Sequence, residues 1–188
     1  MHRYSVIYCD PPWQYKVWSK KGQGRSAENH YPTMALEDIC ALPVGSIAAK
    51  DCALFLWVTI PNLLQAFDVI KAWGFHYKTV AFVWVKTNRK SGTLFWGLGH
   101  WTRANAELCL LATRGKPRRV SKAVHQIILS PIGRHSQKPE EARRRIEQLM
   151  GDVPRIELFA RETPAGWDVW GNEVECSIQF DDTKEELT

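Results

Sequence analysis

The sequence predicts an α/β fold with a mostly parallel sheet flanked by helices, and three observations carry that prediction. Apolar runs of strand length recur along the chain, stretches with helical spacing stand among them, and Gly or Pro punctuates the changes of period. Continuous apolar runs suit strands covered on both faces. In such sheets ligands bind beyond the carboxyl ends of the strands, at a switch in strand order.

Taken in order, residues 4–9 read as a buried strand, which ends at Asp10-Pro11-Pro12 because two prolines remove ladder donors. Residues 14–32 are polar, Gly/Lys/Ser-rich and without apolar period, so they predict a long loop beside that strand's end. Thr33 is placed to cap a short helix through Leu42. Residues 52–58 form an uninterrupted apolar strand. Pro61 then suits a first helical turn, Leu63, Phe67 and Ile70 repeat at helical spacing, and Gly74 supplies the stop. With a strand at 79–85 this makes a strand-helix-strand unit. Residues 88–101 predict a second, Gly-rich loop, and 107–113 a strand ending in the turn Arg114-Gly115-Lys116-Pro117. Pro139 opens a last helix with Glu140 and Glu141 in its first turn, Ala142, Ile146 and Leu149 on its apolar stripe and Gly151 at its end, before a strand at 155–159.

A length of 188 residues fits one domain, expected over 1–176 and followed by an acidic tail, 177–188. No apolar run is long enough to span a bilayer, and the amino terminus leads into a strand rather than a signal peptide, so no membrane partner and a cytoplasmic location are expected. Five scattered cysteines lack the spacing of a metal site and read as reduced core residues; no metal is expected. The formal charge of +5 and pI near 9.0 permit a polyanionic partner. Basic clusters at 86–90, 114–119 and 143–145 suit a phosphate track or a solvated surface. Nine tryptophans, several in loops (Trp13, Trp18, Trp96, Trp101), point to stacking on a flat ligand.

The chemistry concentrates at Asp10-Pro11-Pro12-Trp13. An aromatic amine is a poor nucleophile, because its lone pair is delocalised into the ring. A carboxylate can accept one N–H, the Pro11 carbonyl the other, the prolines stiffen the turn, and Trp13 offers a face for the base. An Asp-Pro turn closing a strand would look the same.

That tetrapeptide is followed by Tyr31-Pro32-Thr33-Met34, Phe55-Leu56-Trp57-Val58-Thr59, Trp84-Val85-Lys86-Thr87-Asn88, Gly99-His100-Trp101 and Glu107. Then come Arg114-Gly115, His135-Ser136-Gln137-Lys138-Pro139, Glu157-Leu158-Phe159-Ala160-Arg161, Gly166-Trp167 and Gly171-Asn172-Glu173. In this order the motifs resemble, nearly end to end, the METTL-type (MT-A70) family of S-adenosylmethionine-dependent N6-adenine methyltransferases, in its compact prokaryotic or phage form. The resemblance implies a Rossmann-like class I methyltransferase sheet, circularly permuted, with the catalytic motif amino-terminal and the cofactor residues largely carboxyl-terminal. It implies that Asp10, Pro11, Pro12 and Trp13 are catalytic. Tyr31, Trp101 and Glu107 would bind substrate, and Cys9, Asp10, Lys138, Phe159, Arg161, Asn172 and Glu173 would contact S-adenosylmethionine, with Asn172 and Glu173 on its ribose.

Larger relatives carry an upstream segment over the cofactor's adenine and a longer stretch after Arg161. Both are expected to be absent here, and Thr163 stands where some relatives carry histidine. Gly97-Leu98-Gly99 reads as a hinge of an active-site loop rather than a phosphate cradle. The resemblance implies a nucleic-acid partner, DNA ahead of RNA, and a homodimer or a second methyltransferase-like subunit as a possible companion. A non-catalytic nucleic-acid-binding subunit is the third reading and methylation of a glutamine or small amine the fourth.

Overall fold

The computed structural model describes residues 3–14, 33–99, 101–133 and 137–180. The expected loop at 14–32, including Tyr31, and the tail at 181–188 lie outside them, except for Gln14.

Seven strands form one sheet: β1 Tyr4–Cys9, β2 Ala48–Val58, β3 His76–Thr87, β4 Glu107–Arg114, β5 Ile127–Pro131, β6 Arg155–Leu158 and β7 Asp168–Trp170, in the order β5-β3-β4-β2-β1-β6-β7. Four helices accompany them: α1 Leu36–Ala41, α2 Val44–Ile47, α3 Leu63–Ala72 and α4 Glu140–Met150. The period of two in the strands sorts side chains onto two faces. Ile7, Cys9, Leu54, Leu56 and Val58 turn toward Ile39, Val44, Ala66, Val69 and Ile70 of α1, α2 and α3. Val6, Tyr8, Phe55, Trp57, Phe82 and Trp84 turn toward Ala142, Ile146 and Met150 of α4. This is a three-layer α/β fold, as expected. Each fully buried large side chain contributes about 1.5–3 kcal/mol, and the run at 52–58 is apolar throughout because both of its faces are covered.

β4 departs from the simple reading. It pairs antiparallel with β2 and with β3, whereas β1–β2, β1–β6, β3–β5 and β6–β7 are parallel. The strand-helix-strand unit β2-α3-β3 therefore has a third strand, reversed, inserted between its strands. Residue type cannot signal direction, because a strand apolar on both faces looks the same either way.

Other elements shifted for local reasons. β2 starts at Ala48, before the apolar run, and β3 starts at His76. α1 begins at Leu36 with Ala35 in the cap position and no side-chain cap, so Thr33 does not play the part expected of it. Pro61 sits in a 3-10 turn, Ile60–Asn62, ahead of α3, and Phe67 is 36% exposed while Ala66, Val69 and Ile70 fill the buried stripe. β5 is an edge strand with Ile127 and Leu129 exposed around buried Ile128, and β7 has three residues; both are too short or too mixed for a period to stand out. Gly74 and Gly151 do stop α3 and α4, with φ of 79° and 77° that suit glycine. Beyond the boundary expected at 176, Ser177 N–H donates to the Val169 carbonyl at 2.8 Å, and Ile178 and Phe180 pack on the core, Phe180 edge-on to Trp170.

No helix among the described residues is long and apolar enough to cross a membrane.

Candidate active site

β1 lies between β2 and β6, so its carboxyl end opens where the chain leaves in opposite directions along the sheet. Because β4 is reversed, its first residue joins the same edge: Glu107 pairs with Trp84, near the end of β3. Asp10 follows Cys9 at the tip of β1, and Lys138 precedes α4. Four charges meet there. Lys138 Nζ lies 2.8 Å from Asp10 Oδ2 and 3.1 Å from Glu107 Oε2, and Lys86 Nζ lies 2.6 Å from Glu107 Oε1. Two carboxylates and two ammonium groups leave this cluster neutral.

Exposure divides the roles. The side chains of Glu107 and Lys138 are 7% and 9% exposed, whereas that of Asp10 keeps 36%. Glu107 Oε2 has no hydrogen-bond partner among the described residues, so its ion contact with Lys138 is what compensates it. Burial raises the Asp10 carboxyl above its ordinary value, partly offset by Lys138, with Glu107 adding to the rise and Arg161 opposing it. Burial would raise Glu107 too, but Lys138 and Lys86 overcome that and hold it below the ordinary glutamate value. For Lys138 burial works downward, and the two carboxylates outweigh it to keep the ammonium charged.

The Asp10-Pro11-Pro12-Trp13 segment is a tight turn locked into the core. Trp13 N–H donates to the Pro11 carbonyl at 2.8 Å, a three-residue turn, and Met34 N–H donates to the Pro12 carbonyl at 2.9 Å. The Pro11 carbonyl thus already accepts one hydrogen bond, but a carbonyl has two lone pairs and one remains. The indole N–H of Trp13 donates to the Trp57 carbonyl at 3.0 Å and the residue is only 4% exposed. Trp13 thus anchors the turn from inside rather than offering an open face. Trp57 in turn donates to Tyr8 Oη at 2.8 Å and lies beneath Lys138 Nζ, 5.9 Å from the ring centre.

The residues that the family resemblance assigns to the cofactor divide. Arg161, Asn172 and Glu173 are exposed on the segments that follow β6 and β7, adjacent strands in which Leu158 pairs with Trp170. Arg161 Nε lies 3.4 Å from Glu173 Oε1, and its charge is felt at Asp10. Phe159 is the one non-glycine residue with positive φ, 60°, among the described residues, and its ring packs edge-on to Trp170 at 5.5 Å. Gly171 closes the arrangement: a Cβ there would stand 2.3 Å from the Ala160 carbonyl oxygen. Cys9, by contrast, is fully buried with its Sγ 3.7 Å from the Phe55 carbonyl, and burial pushes its thiol well up, so its side chain does not reach the open edge. Lys138 is ion-paired with two carboxylates, and Glu107, 7% exposed, is ion-paired with both Lys138 and Lys86. Trp101 is fully exposed, outside the ion cluster, and Tyr31, His100, His135 and Ser136 lie outside the described residues.

The sequence reading missed the part played by Lys86. It counted the residue in a surface basic cluster, yet its ammonium group is half-buried against Glu107 and 5.0 Å from the Trp84 ring centre. Arg143 likewise is a core residue, 2.8 Å from Glu157 and 2.5 Å from Glu162, not part of a solvated track. Only the register of β3 against β4 could have revealed the Lys86–Glu107 pair.

A family model described as MT-A70 matches residues 4–173. The Type II methyltransferase M.MunI of a Mycoplasma species is 35% identical over 189 residues, covering 92% of this chain and 78% of that protein. The N(6)-adenosine-methyltransferase MT-A70-like protein of Arabidopsis thaliana is 31% identical, over 91% of this chain and 24% of its own length. The N(6)-adenosine-methyltransferase catalytic subunit METTL3 of Homo sapiens is 27% identical, over 92% of this chain and 28% of its own length.

Proposed function

The chain belongs to the MT-A70 family, and on that footing we propose that it transfers a methyl group from S-adenosylmethionine to the N6 amino group of adenine in DNA. The observation that carries the reading is Asp10: a half-open carboxylate at the tip of the central strand, beside a hydrogen-bonded turn and ion-paired to buried Lys138, which in turn meets buried Glu107.

The residues fit the cofactor. Exposed Asn172 and Glu173 offer an amide and a carboxylate suited to paired ribose hydroxyls, and Arg161 beside Glu173 suits the amino acid carboxylate. When bound, S-adenosylmethionine supplies a methyl group on a positively charged sulfur, which leaves as a neutral thioether. Asp10 accepts one N–H of the adenine amine and the remaining lone pair of the Pro11 carbonyl accepts the other. Together they turn the nitrogen lone pair out of conjugation and aim it at the methyl carbon. With the cofactor held there, the N–C bond would form as the C–S bond breaks. The surplus proton leaves the nitrogen after transfer, through Asp10 to solvent, because an unmethylated amine is too weak an acid to be deprotonated first. A lone Lys138 ammonium would repel the sulfonium, and Glu107 cancels that charge from below.

DNA is favoured because, of the relatives above, the Type II methyltransferase is the one this chain spans over most of its length. RNA N6-adenosine is the second reading, supported by the two N(6)-adenosine-methyltransferase relatives. The intact Asp10 turn argues against a scaffold. Cytoplasmic placement and a homodimer or a second methyltransferase-like subunit remain part of this proposal. The test is transfer of labelled methyl to single-stranded DNA, duplex DNA and RNA. Label in N6-methyladenine of DNA that Asp10→Ala abolishes is the expected result; label in RNA alone would move the assignment to RNA, and label in none would reject it.

A further inference from the structure

The segment joining β3 to β4 presents four large apolar side chains to water: Leu94 is 41% exposed, Trp96 58%, Leu98 73% and Trp101 100%. Such side chains gain by leaving water, and a cluster held outward marks a surface awaiting a partner. The chemistry of the segment says which partner. Residues 88–106 contain no Asp or Glu, while Arg89, Lys90 and Arg103 are exposed on the same segment. Flat aromatic groups among cations complement stacked bases between phosphates.

The base of the segment is braced. Phe95 N–H donates to the Lys86 carbonyl at 2.9 Å, the Asn105 side chain accepts from Lys86 N–H at 2.7 Å and donates to the Phe95 carbonyl, and Gly97 N–H donates to the Ala104 carbonyl at 2.7 Å. Gly99 has φ of 66°, and a Cβ there would fall 1.8 Å from the Thr102 carbonyl oxygen, so the chain turns where only glycine fits. Gly97 and Gly99 thus stand in a turn held by the Gly97–Ala104 hydrogen bond. Both ends of the segment are in the active site, since Lys86 and Glu107 flank it and are ion-paired to each other.

We propose that this segment is a wedge: Trp101 enters the base stack of duplex DNA at the place the target adenine leaves, while Arg89, Lys90 and Arg103 hold the flanking phosphates. The proposal rests on the adenine-methylation reading and adds how a duplex is opened. Extruding a base forfeits its stacking, and an indole ring in the gap restores part of it.

The experiment compares methyl transfer to the same DNA in duplex and single-stranded form by the wild-type chain, Trp101→Ala and Trp101→Phe. Full exposure of Trp101 means that neither substitution disturbs packing. Trp101→Ala is expected to lower the duplex rate about tenfold more than the single-strand rate, the size of a lost stacking contact, with Trp101→Phe recovering most of that difference. Equal losses on both forms, or none on either, would overturn the wedge while leaving the methyltransferase reading in place. So would a loss that accompanies a fall in molecular mass by sedimentation, which would assign the face to a protein partner. Absence of transfer by the wild-type chain to either form would overturn the underlying reading and the wedge together.

Discussion

Replacing Glu107 by glutamine keeps the side-chain volume and removes the charge that Lys86 and Lys138 share. Breaking one partner out of a buried ion pair costs about 3–5 kcal/mol, because the other charge stays behind uncompensated. Three features place the expected loss at the lower end, about 3 kcal/mol. Lys86 is 20% exposed and partly solvated, Lys138 keeps Asp10, and glutamine still accepts a hydrogen bond. For a chain of this size the melting temperature should fall by about 6–12 °C. Glu107 is held below the ordinary glutamate value, so its stabilisation is present above the unfolded-state value and lost as pH falls through the folded one. The gap between wild type and variant should thus be full at neutral pH and close on acidification. Activity should fall as well, since Lys138 then bears wholly on Asp10 and competes with the target amine. Calorimetry at neutral and acid pH, with methyl-transfer rates alongside, reads all of this. A melting temperature within about 2 °C of wild type at neutral pH, or a gap that acid does not narrow, would refute the claim that the cluster is electrostatically closed.

Three further outcomes follow from the same structure. Burial raises Asp10 more than Lys138 lowers it, so the acid limb of the kcat/KM profile should lie above the ordinary aspartate range, and a limb at or below that range would contradict it. Burial pushes Glu157 up to about 7 from 4.5 despite Arg143. The folded chain then holds a proton that the unfolded chain has lost between those values, so this contribution, on the order of 3 kcal/mol, is present at low pH and lost as pH rises toward 7. Urea midpoints for Glu157→Gln should show a flatter dependence over that interval, and an unchanged slope would exclude the effect. Gly171→Ala places a methyl group 2.3 Å from the Ala160 carbonyl oxygen, so the Phe159–Arg161 backbone must shift. Calorimetric titration should show cofactor affinity at least about tenfold weaker, with a lower melting temperature; wild-type affinity would separate this turn from the cofactor.

What the sequence by itself determined was everything set by local period and local chemistry. Residues 52–58 could only be a strand covered on both faces, Pro139 and Gly151 bracket α4, and the two prolines after Cys9 end β1 where a ligand can reach it. The order of the motifs marks the family, and with it Asp10, Arg161, Asn172 and Glu173 as candidate site residues. What only the tertiary structure decided depends on register and direction. The reversal of β4 is invisible in its residues, yet it brings Glu107 to the edge where β3 ends and so pairs it with Lys86. The inward turn of Trp13, the engaged Pro11 carbonyl and the burial of Cys9 likewise follow from which neighbours the sheet supplies. Residue type records how strongly a side chain avoids water or attracts a charge; its partner is fixed by long-range pairing, which no local pattern encodes.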